Sequence, residues 1–248
     1  MTDLRHGDYR DVLSDVYPDA VIVDPPYSAR THAGSDPSVP GRRRVDYTHW
    51  THADILACTA WMHRRVRGWI VVVTDDLSIH LWRTALGGGT LHSRDGVPYY
   101  DFAALPYVAV GSRVRICGDG PSCWVTHIVT ARPRCQPYAS WGTLPGAYIL
   151  PRGLPQYDRE QPHIGGKPLW LMRALIRDYT RPGDLVCDPT AGAGTTLLAA
   201  AIEGRRAVGA EMDRDTYTAA RARLAEGYTP SLLGRRQTHE QLGLLGED

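Results

Sequence analysis

Apolar residues along the chain gather in short runs cut apart by turn residues, and the runs alternate between strand and helix spacing. Ala20-Val21-Ile22-Val23 is a continuous apolar stretch that stops at Asp24-Pro25-Pro26-Tyr27. Two prolines forbid continuation of a strand or a helix, so the stretch reads as a buried strand with Asp24 at its carboxyl end, opening a loop. Ahead of it, Asp3 to Gly7 reads as a strand, and Arg10 to Val16 as a helix on the spacing of Val12, Leu13 and Val16. Thr51 to Arg67 has helical spacing at Ile55, Leu56, Thr59, Met62 and Val66, with Asp54 in its first turn and Arg64, Arg65 and Arg67 in its last, as the helix dipole prefers. Trp69 to Thr74 is a second buried strand, and Leu77 to Leu86 a helix stopped by Gly87-Gly88-Gly89. Pro106 to Val110 and Trp124 to Ala131 read as strands around the turn Gly118-Asp119-Gly120-Pro121, an antiparallel hairpin at a sheet edge.

The last third is more regular. Lys167 to Tyr179 is helical, Asp184 to Cys187 a strand, Asp188 to Gly194 a turn, Thr195 to Glu203 a helix ended by Gly204, Ala207 to Ala210 a strand closed by Glu211, and Asp215 to Glu226 a helix. This β-turn-α-β-α order is a nucleotide-binding half of a doubly wound, mostly parallel α/β sheet of the Rossmann-like kind. Two segments lack periodicity: 28–50 reads as a long surface loop, of a length usually functional or mobile, and 132–162 as irregular, and both are candidate recognition segments within the domain once a substrate is implied. The tail from 227 to 248 has no clear packing pattern. At 248 residues, 43% hydrophobic and 22% charged, the whole is expected to form a single α/β domain. The longest apolar run, Trp69 to Thr74, is far short of the roughly 18 residues a membrane span needs, and the N-terminus lacks a basic-then-apolar signal, so a cytoplasmic protein is expected.

Charge adds little at the global level, since 28 basic residues face 27 acidic ones, and any attraction to nucleic acid must come from local patches. Lys167 is the one lysine; arginine-rich coding accounts for the imbalance, as it does for the one phenylalanine, Phe102. Five cysteines argue for reduced thiols, and the spacing of Cys117, Cys123, His127 and Cys135 matches no common zinc knuckle, so no metal is expected.

Two motifs carry candidate chemistry. Gly192 and Gly194 fall between a buried strand and a helix start, where backbone can approach a ligand closely, and Glu211 ends the next strand about 20 residues on, where a carboxylate can accept both hydroxyls of a ribose. A dinucleotide fingerprint would need a further glycine at Leu197. The second motif is Asp24-Pro25-Pro26-Tyr27. An exocyclic base amine is a poor nucleophile because its lone pair is delocalised into the ring. A carboxylate and a backbone carbonyl that accept its hydrogens favour pyramidalisation, and Asp24 with the carbonyl of Pro25 can be that pair. Tyr27 then offers a face on which an extruded base can stack.

These residues resemble the S-adenosyl-L-methionine (SAM)-dependent methyltransferases that act on amino groups of DNA bases, in the permuted beta-group order where Asp-Pro-Pro-Tyr precedes the glycine turn. Gly7-Asp8, the segment His163 to Met172 and Val208 to Asp213 are similar to further elements of that group. The resemblance spans about residues 3 to 27 and 163 to 226. It implies SAM as cofactor, contacted by Asp8 at its adenine, by Glu211 at its ribose, by Lys167 near its methionine end, and by Asp188, Pro189, Thr190, Gly192, Gly194, Thr195 and Met212. Thr190, Ala193 and Ile164 depart from residues usual in the family, which implies a weaker hold on SAM. The catalytic set is Asp24, Pro25, Pro26 and Tyr27.

The resemblance further implies a DNA substrate, with N6 of a flipped-out adenine preferred because Asp-Pro-Pro-Tyr more often accompanies adenine and Ser-Pro-Pro-Tyr cytosine. Cytosine N4, adenine in RNA, and a non-catalytic SAM- or nucleic-acid-binding subunit stay open. A ring-carbon cytosine methylase is disfavoured, for no Pro-Cys occurs. Arg42, Arg43 and Arg44 suit phosphates, and Trp50 and Tyr138 could stack on bases. These segments are short for reading a duplex, which typically takes roughly 1,000 Å² or more of protein surface. A homodimer, a separate specificity subunit or a single-stranded substrate would each supply the shortfall.

Overall fold

The computed structural model describes residues 1–29, 31, 48–87, 96–110, 123–133, 141–154 and 166–227. Arg42, Arg43, Arg44, Tyr138, His163, Ile164, the turn Gly118 to Pro121 and the tail from 228 lie outside the described residues.

Strand β1 (Thr2–His6) is followed by the one-turn helix α1 (Tyr9–Val12) and β2 (Ala20–Val23). Then come α2 (His52–His63), β3 (Ile70–Thr74), α3 (Ile79–Gly87), β4 (Tyr99–Asp101), β5 (Leu105–Val108), β6 (Val125–Pro133) and β7 (Tyr148–Ile149). The chain continues with α4 (Leu169–Tyr179), β8 (Leu185–Asp188), α5 (Thr195–Ile202), β9 (Arg206–Glu211) and α6 (Arg214–Glu226). All the described strands join one sheet in the order β1-β9-β8-β2-β3-β6-β5-β7, with β4 also on β6. The pairs from β1 to β3 are parallel; β6 is antiparallel to β3, β4 and β5. Among the described residues no helix is long and apolar enough to cross a membrane.

Every residue of β2 and β3 is buried, as befits strands covered by helices on both faces. One core cluster joins Ile22, Val71, Val73 and Ile128 to Leu171, Leu175 and Ile176 of α4 and Leu197 and Leu198 of α5. The other joins Val21, Val23, Val72 and Val129 to Ile55, Cys58 and Met62 of α2 and Trp82 and Leu86 of α3. Alternate residues of each strand thus feed opposite layers.

Most predicted elements stand within a residue or two of their expected bounds. Helix α1 is shorter than the spacing to Val16 implies: after Leu13 the chain tightens into i→i−3 turns, Ser14 to Asp11 and Val16 to Leu13, with Pro18 close ahead. Helix α2 ends at His63 rather than Arg67, and Arg65 and Val66 donate to the carbonyl of Met62 instead; its start is fixed by a capping box between Thr51 and Asp54. The expected antiparallel pairing of these strands is present, β5 against β6, near one end of the sheet. The expectation of irregular structure over 132–162 is corrected in part. Strand β6 runs on to Pro133, and Tyr148–Ile149 adds to β5 as a short parallel strand. Strand β4 shows no apolar alternation and exists through its ladder to Ala131, Arg132 and Pro133.

Gly209 in β9 is where the sheet meets the turn that follows β8. A Cβ there would lie 2.9 Å from the Asp188 carbonyl oxygen, 2.9 Å from Leu197 Cδ1 and 3.1 Å from Ala191 Cβ. Gly209→Ala is therefore expected to destabilise the protein by about 1–3 kcal/mol through overpacking, read as a lower urea midpoint at unchanged slope.

Candidate active site

Parallel strands β2 and β8 are neighbours, with Val21 opposite Cys187, yet β2 continues outward to β3 and β8 to β9. The strand order reverses here, and the crevice beyond the carboxyl ends of such a pair is where open α/β sheets bind ligands. Asp24 leaves β2 at that point and Asp188 ends β8 beside it. Both line one cavity of about 570 Å³, within the roughly 300–1,000 Å³ of small-molecule sites.

The glycine turn forms the floor. Gly192 and Gly194 have φ of 51° and 73°, left-handed values that favour glycine. Gly192 lines the cavity, and its amide donates to Glu211 Oε2 at 2.9 Å, while the amide of Asp213 donates to Oε1 at 2.8 Å. Burial pushes the Glu211 carboxyl up, and these amides draw it back. Gly194 lies behind the lining and starts α5, where a Cβ would press within 3.2 Å of Leu224 in α6. Pro189, Thr190, Thr195 and Met212 all face the cavity, Met212 at its exposed rim. Asp188 is 2% exposed; burial raises its pKa to about 7, against hydrogen bonds from the Thr196 side chain and the Thr190 amide. Asp8, also in the lining, caps α1 by accepting from the Arg10 amide, and the Arg10 guanidinium holds its carboxyl below the usual range.

At the other wall, Asp24 and Pro26 line the cavity, whereas Pro25 and Tyr27 stand behind it. Tyr27 turns its hydroxyl to Asp24 Oδ1 at 2.9 Å. Lys167 Nζ lies 2.9 Å from Asp24 Oδ1 and 3.0 Å from Oδ2. Burial pushes the Asp24 carboxyl up, while Lys167 and Tyr27 pull it down. Trp50 reaches the same cavity, its amide donating to the Tyr27 carbonyl at 3.3 Å and its ring 6.1 Å from that of buried Trp82.

Two positioning groups escaped the sequence reading. Asp75, just beyond β3, accepts from the Ser28 amide at 3.1 Å, the Ser28 hydroxyl at 2.5 Å, the Thr31 hydroxyl at 2.6 Å and the Ser78 amide at 3.0 Å. It clasps the segment after Tyr27 to the start of α3. Burial would raise its carboxyl, but these donors hold it below the usual range. A carboxylate at the end of the strand next to β2 was the available signal. Arg223 of α6 donates to the Ala193 carbonyl at 3.0 Å and Thr195 Oγ1 at 2.9 Å, tying that helix to the glycine turn; a mid-helix arginine gives no warning of this.

The cavity has a marked charge excess. Asp8, Asp24, Asp54, Asp188, Glu211 and Asp213 line it against the cations Arg10 and Lys167, which suits a cationic ligand and repels a phosphate-bearing one.

The mixed α/β fold with its mostly parallel sheet matches that of Rossmann-like SAM methyltransferases. M1.HpyAVI, whose structure is a SAM complex, superposes with a TM-score of 0.63 at 19% identity, over 90% of this chain and all of that one. The PvuII DNA methyltransferase, cytosine-N4-specific, gives 0.58 at 15% identity, over 96% and 90%. In sequence, the model of the DNA methylase family N6_N4_Mtase matches residues 124–222, a stretch that holds the glycine turn but begins well after the Asp24 corner. YubD of Escherichia coli (strain K12), which bears the name of a methylase, is 35% identical over 92 residues, 32% of this chain and 40% of its own length. The matched stretches thus span well under two thirds of the curated relatives.

Proposed function

We propose that this chain is a SAM-dependent DNA methyltransferase of permuted order that acts on an exocyclic base amine, with N6 of an extruded adenine as acceptor. The observation that carries the reading is the meeting of two motifs at one cavity: Asp24 after β2 and the glycine turn after β8 flank the reversal of strand order. The acidic lining supports a cationic cofactor, and the DNA methylase family match covers the turn that would hold it.

In this reading Glu211 takes the ribose hydroxyls, Asp8 the cofactor's adenine, and Asp188 its cationic end, with Pro189, Thr190, Gly192, Thr195 and Met212 as walls. The cofactor supplies an electrophilic methyl group on a sulfonium. Asp24 and the carbonyl of Pro25 accept the hydrogens of the target amine and turn its lone pair toward the cavity. Pro26 stiffens the corner, Tyr27 braces Asp24, and Trp50 offers its ring to the base. Holding amine and methyl in line can lower the barrier by about 7–11 kcal/mol, so no metal is required. DNA is the proposed partner, gripped outside the acidic cavity.

The test is to incubate the protein with methyl-labelled SAM and mixed DNA and RNA, digest to nucleosides and find the label. N6-methyldeoxyadenosine is expected. Label on N4 of deoxycytidine would move the acceptor to cytosine, the other amine covered by the family's name. Label on RNA adenosine alone would replace the substrate, and no label anywhere would make the chain a binding subunit.

A further inference from the structure

Lys167 stands just ahead of α4, and its side chain is only 6% exposed. Surface lysines at helix starts send the ammonium to water along a buried stem; this one turns inward. A single Nζ spans both oxygens of Asp24, at 2.9 and 3.0 Å, and lies 4.7 Å from the centroid of the Tyr27 ring. The ammonium therefore binds where the hydrogens of a target amine would be accepted. Among the described residues, the other titratable groups facing Asp24 are Tyr27 on its own segment, which donates to Oδ1, and Asp188 on β8, whose charge repels it. Asp75, beyond β3 on the other side, is turned to Ser28, Thr31 and Ser78.

With Asp188 so near and little solvent, Asp24 left alone would favour the neutral acid, which offers the amine a poorer acceptor. Asp24 retains 21% exposure, so its carboxyl is not sealed off by the ammonium. We infer that Lys167 is a positioning residue of the transfer: its ammonium holds the Asp24 carboxylate charged and oriented, and gives up one carboxylate oxygen as the amine arrives. This differs from the cofactor contact that the family resemblance implies, and it rests on the function proposed above.

The experiment compares wild type with Lys167→Met, which keeps the stem and loses the charge, and Lys167→Arg, which keeps the charge. Carbon-13 NMR follows the Asp24 carboxyl through its titration, calorimetry measures SAM binding, and single-turnover transfer is timed between about pH 6 and 9. In Lys167→Met the Asp24 midpoint should rise by about one unit or more, and transfer below it should fall about tenfold per pH unit. SAM affinity should stay within about threefold, and Lys167→Arg should recover most of the rate. An unmoved midpoint overturns the inference. With SAM binding weakened about tenfold or more, that result makes Lys167 a cofactor residue; with binding unchanged, a packing residue. A wild type that transfers no methyl would defeat the function reading, and with it the role in transfer, while the carboxyl titration, which needs no turnover, would still show separately whether Lys167 holds Asp24 charged.

Discussion

Asp24→Ala is expected to lower methyl transfer by about a thousandfold or more, while SAM binding stays within a few-fold of wild type. The target amine donates its lone pair to the ring until something accepts its hydrogens. Under the proposed function Asp24 is the charged acceptor at the end of β2, and alanine would leave the neutral Pro25 carbonyl as the remaining one. The loss should fall on kcat, because the interaction strengthens as the nitrogen becomes tetrahedral. The same change strands the Lys167 ammonium at 6% exposure without the carboxylate it spans. Breaking such a buried pair costs about 3–5 kcal/mol of stability, so the loss of activity needs a folding control. Asp24→Asn supplies it: the shape and one acceptor oxygen remain, and the rate should fall less than in alanine although the charge is gone in both. Tritium transfer to DNA beside calorimetric titration with SAM makes the comparison. Transfer that survives intact in Asp24→Ala would remove this carboxylate from the chemistry.

The parts of this site legible in the sequence are those set by local covalent constraint. Pro25 and Pro26 must end β2, so Asp24 had to stand at its carboxyl end. The glycines after β8 must turn, so the start of α5 could be placed to the residue. What could not be read was the pairing of strands distant in the chain. The neighbourhood of β2 and β8 follows from which apolar runs pack against which helices, and neither run states its partner. That pairing brings Lys167 to Asp24 across 143 residues, and the spacing of Lys167 from the helix behind it gives no hint of its inward turn. Asp75 was hidden for the same reason: its donors Ser28 and Thr31 lie across a segment without periodicity. Strands β4 and β7, three and two residues long, are made by the ladders beside them rather than by their own alternation.

Asp188→Asn is expected to stabilise the protein at and above neutral pH while weakening its hold on SAM. Asp188 is 2% exposed at the end of β8; burial, reinforced by the charges of Asp24 and Glu211, raises its pKa from an ordinary 3.8 to about 7. The folded state therefore holds this proton more tightly than the unfolded chain does. Below about pH 4 the group is neutral in both states and costs nothing. Between about 4 and 7 the unfolded chain ionises first and stability falls as pH rises; above 7 the deficit is complete. Three units correspond to about 4 kcal/mol as an upper bound. Asparagine removes the charge and keeps an oxygen for the Thr190 amide, which donates to Oδ1 at 3.1 Å. Its melting temperature should exceed that of wild type by several degrees near pH 8, at about 2–4 °C per kcal/mol for a chain of this size. The gap should close as the pH is lowered toward 4. Scanning calorimetry of both proteins across that range decides it, and a variant less stable than wild type at pH 8 would mean that the buried charge is satisfied where it stands. The destabilising carboxylate has a use under the proposed function, since an ionised Asp188 adds to the field that draws a sulfonium into the cavity. Wild-type SAM affinity should accordingly fall as the pH drops through about 7, and Asp188→Asn should flatten that dependence at the lower affinity.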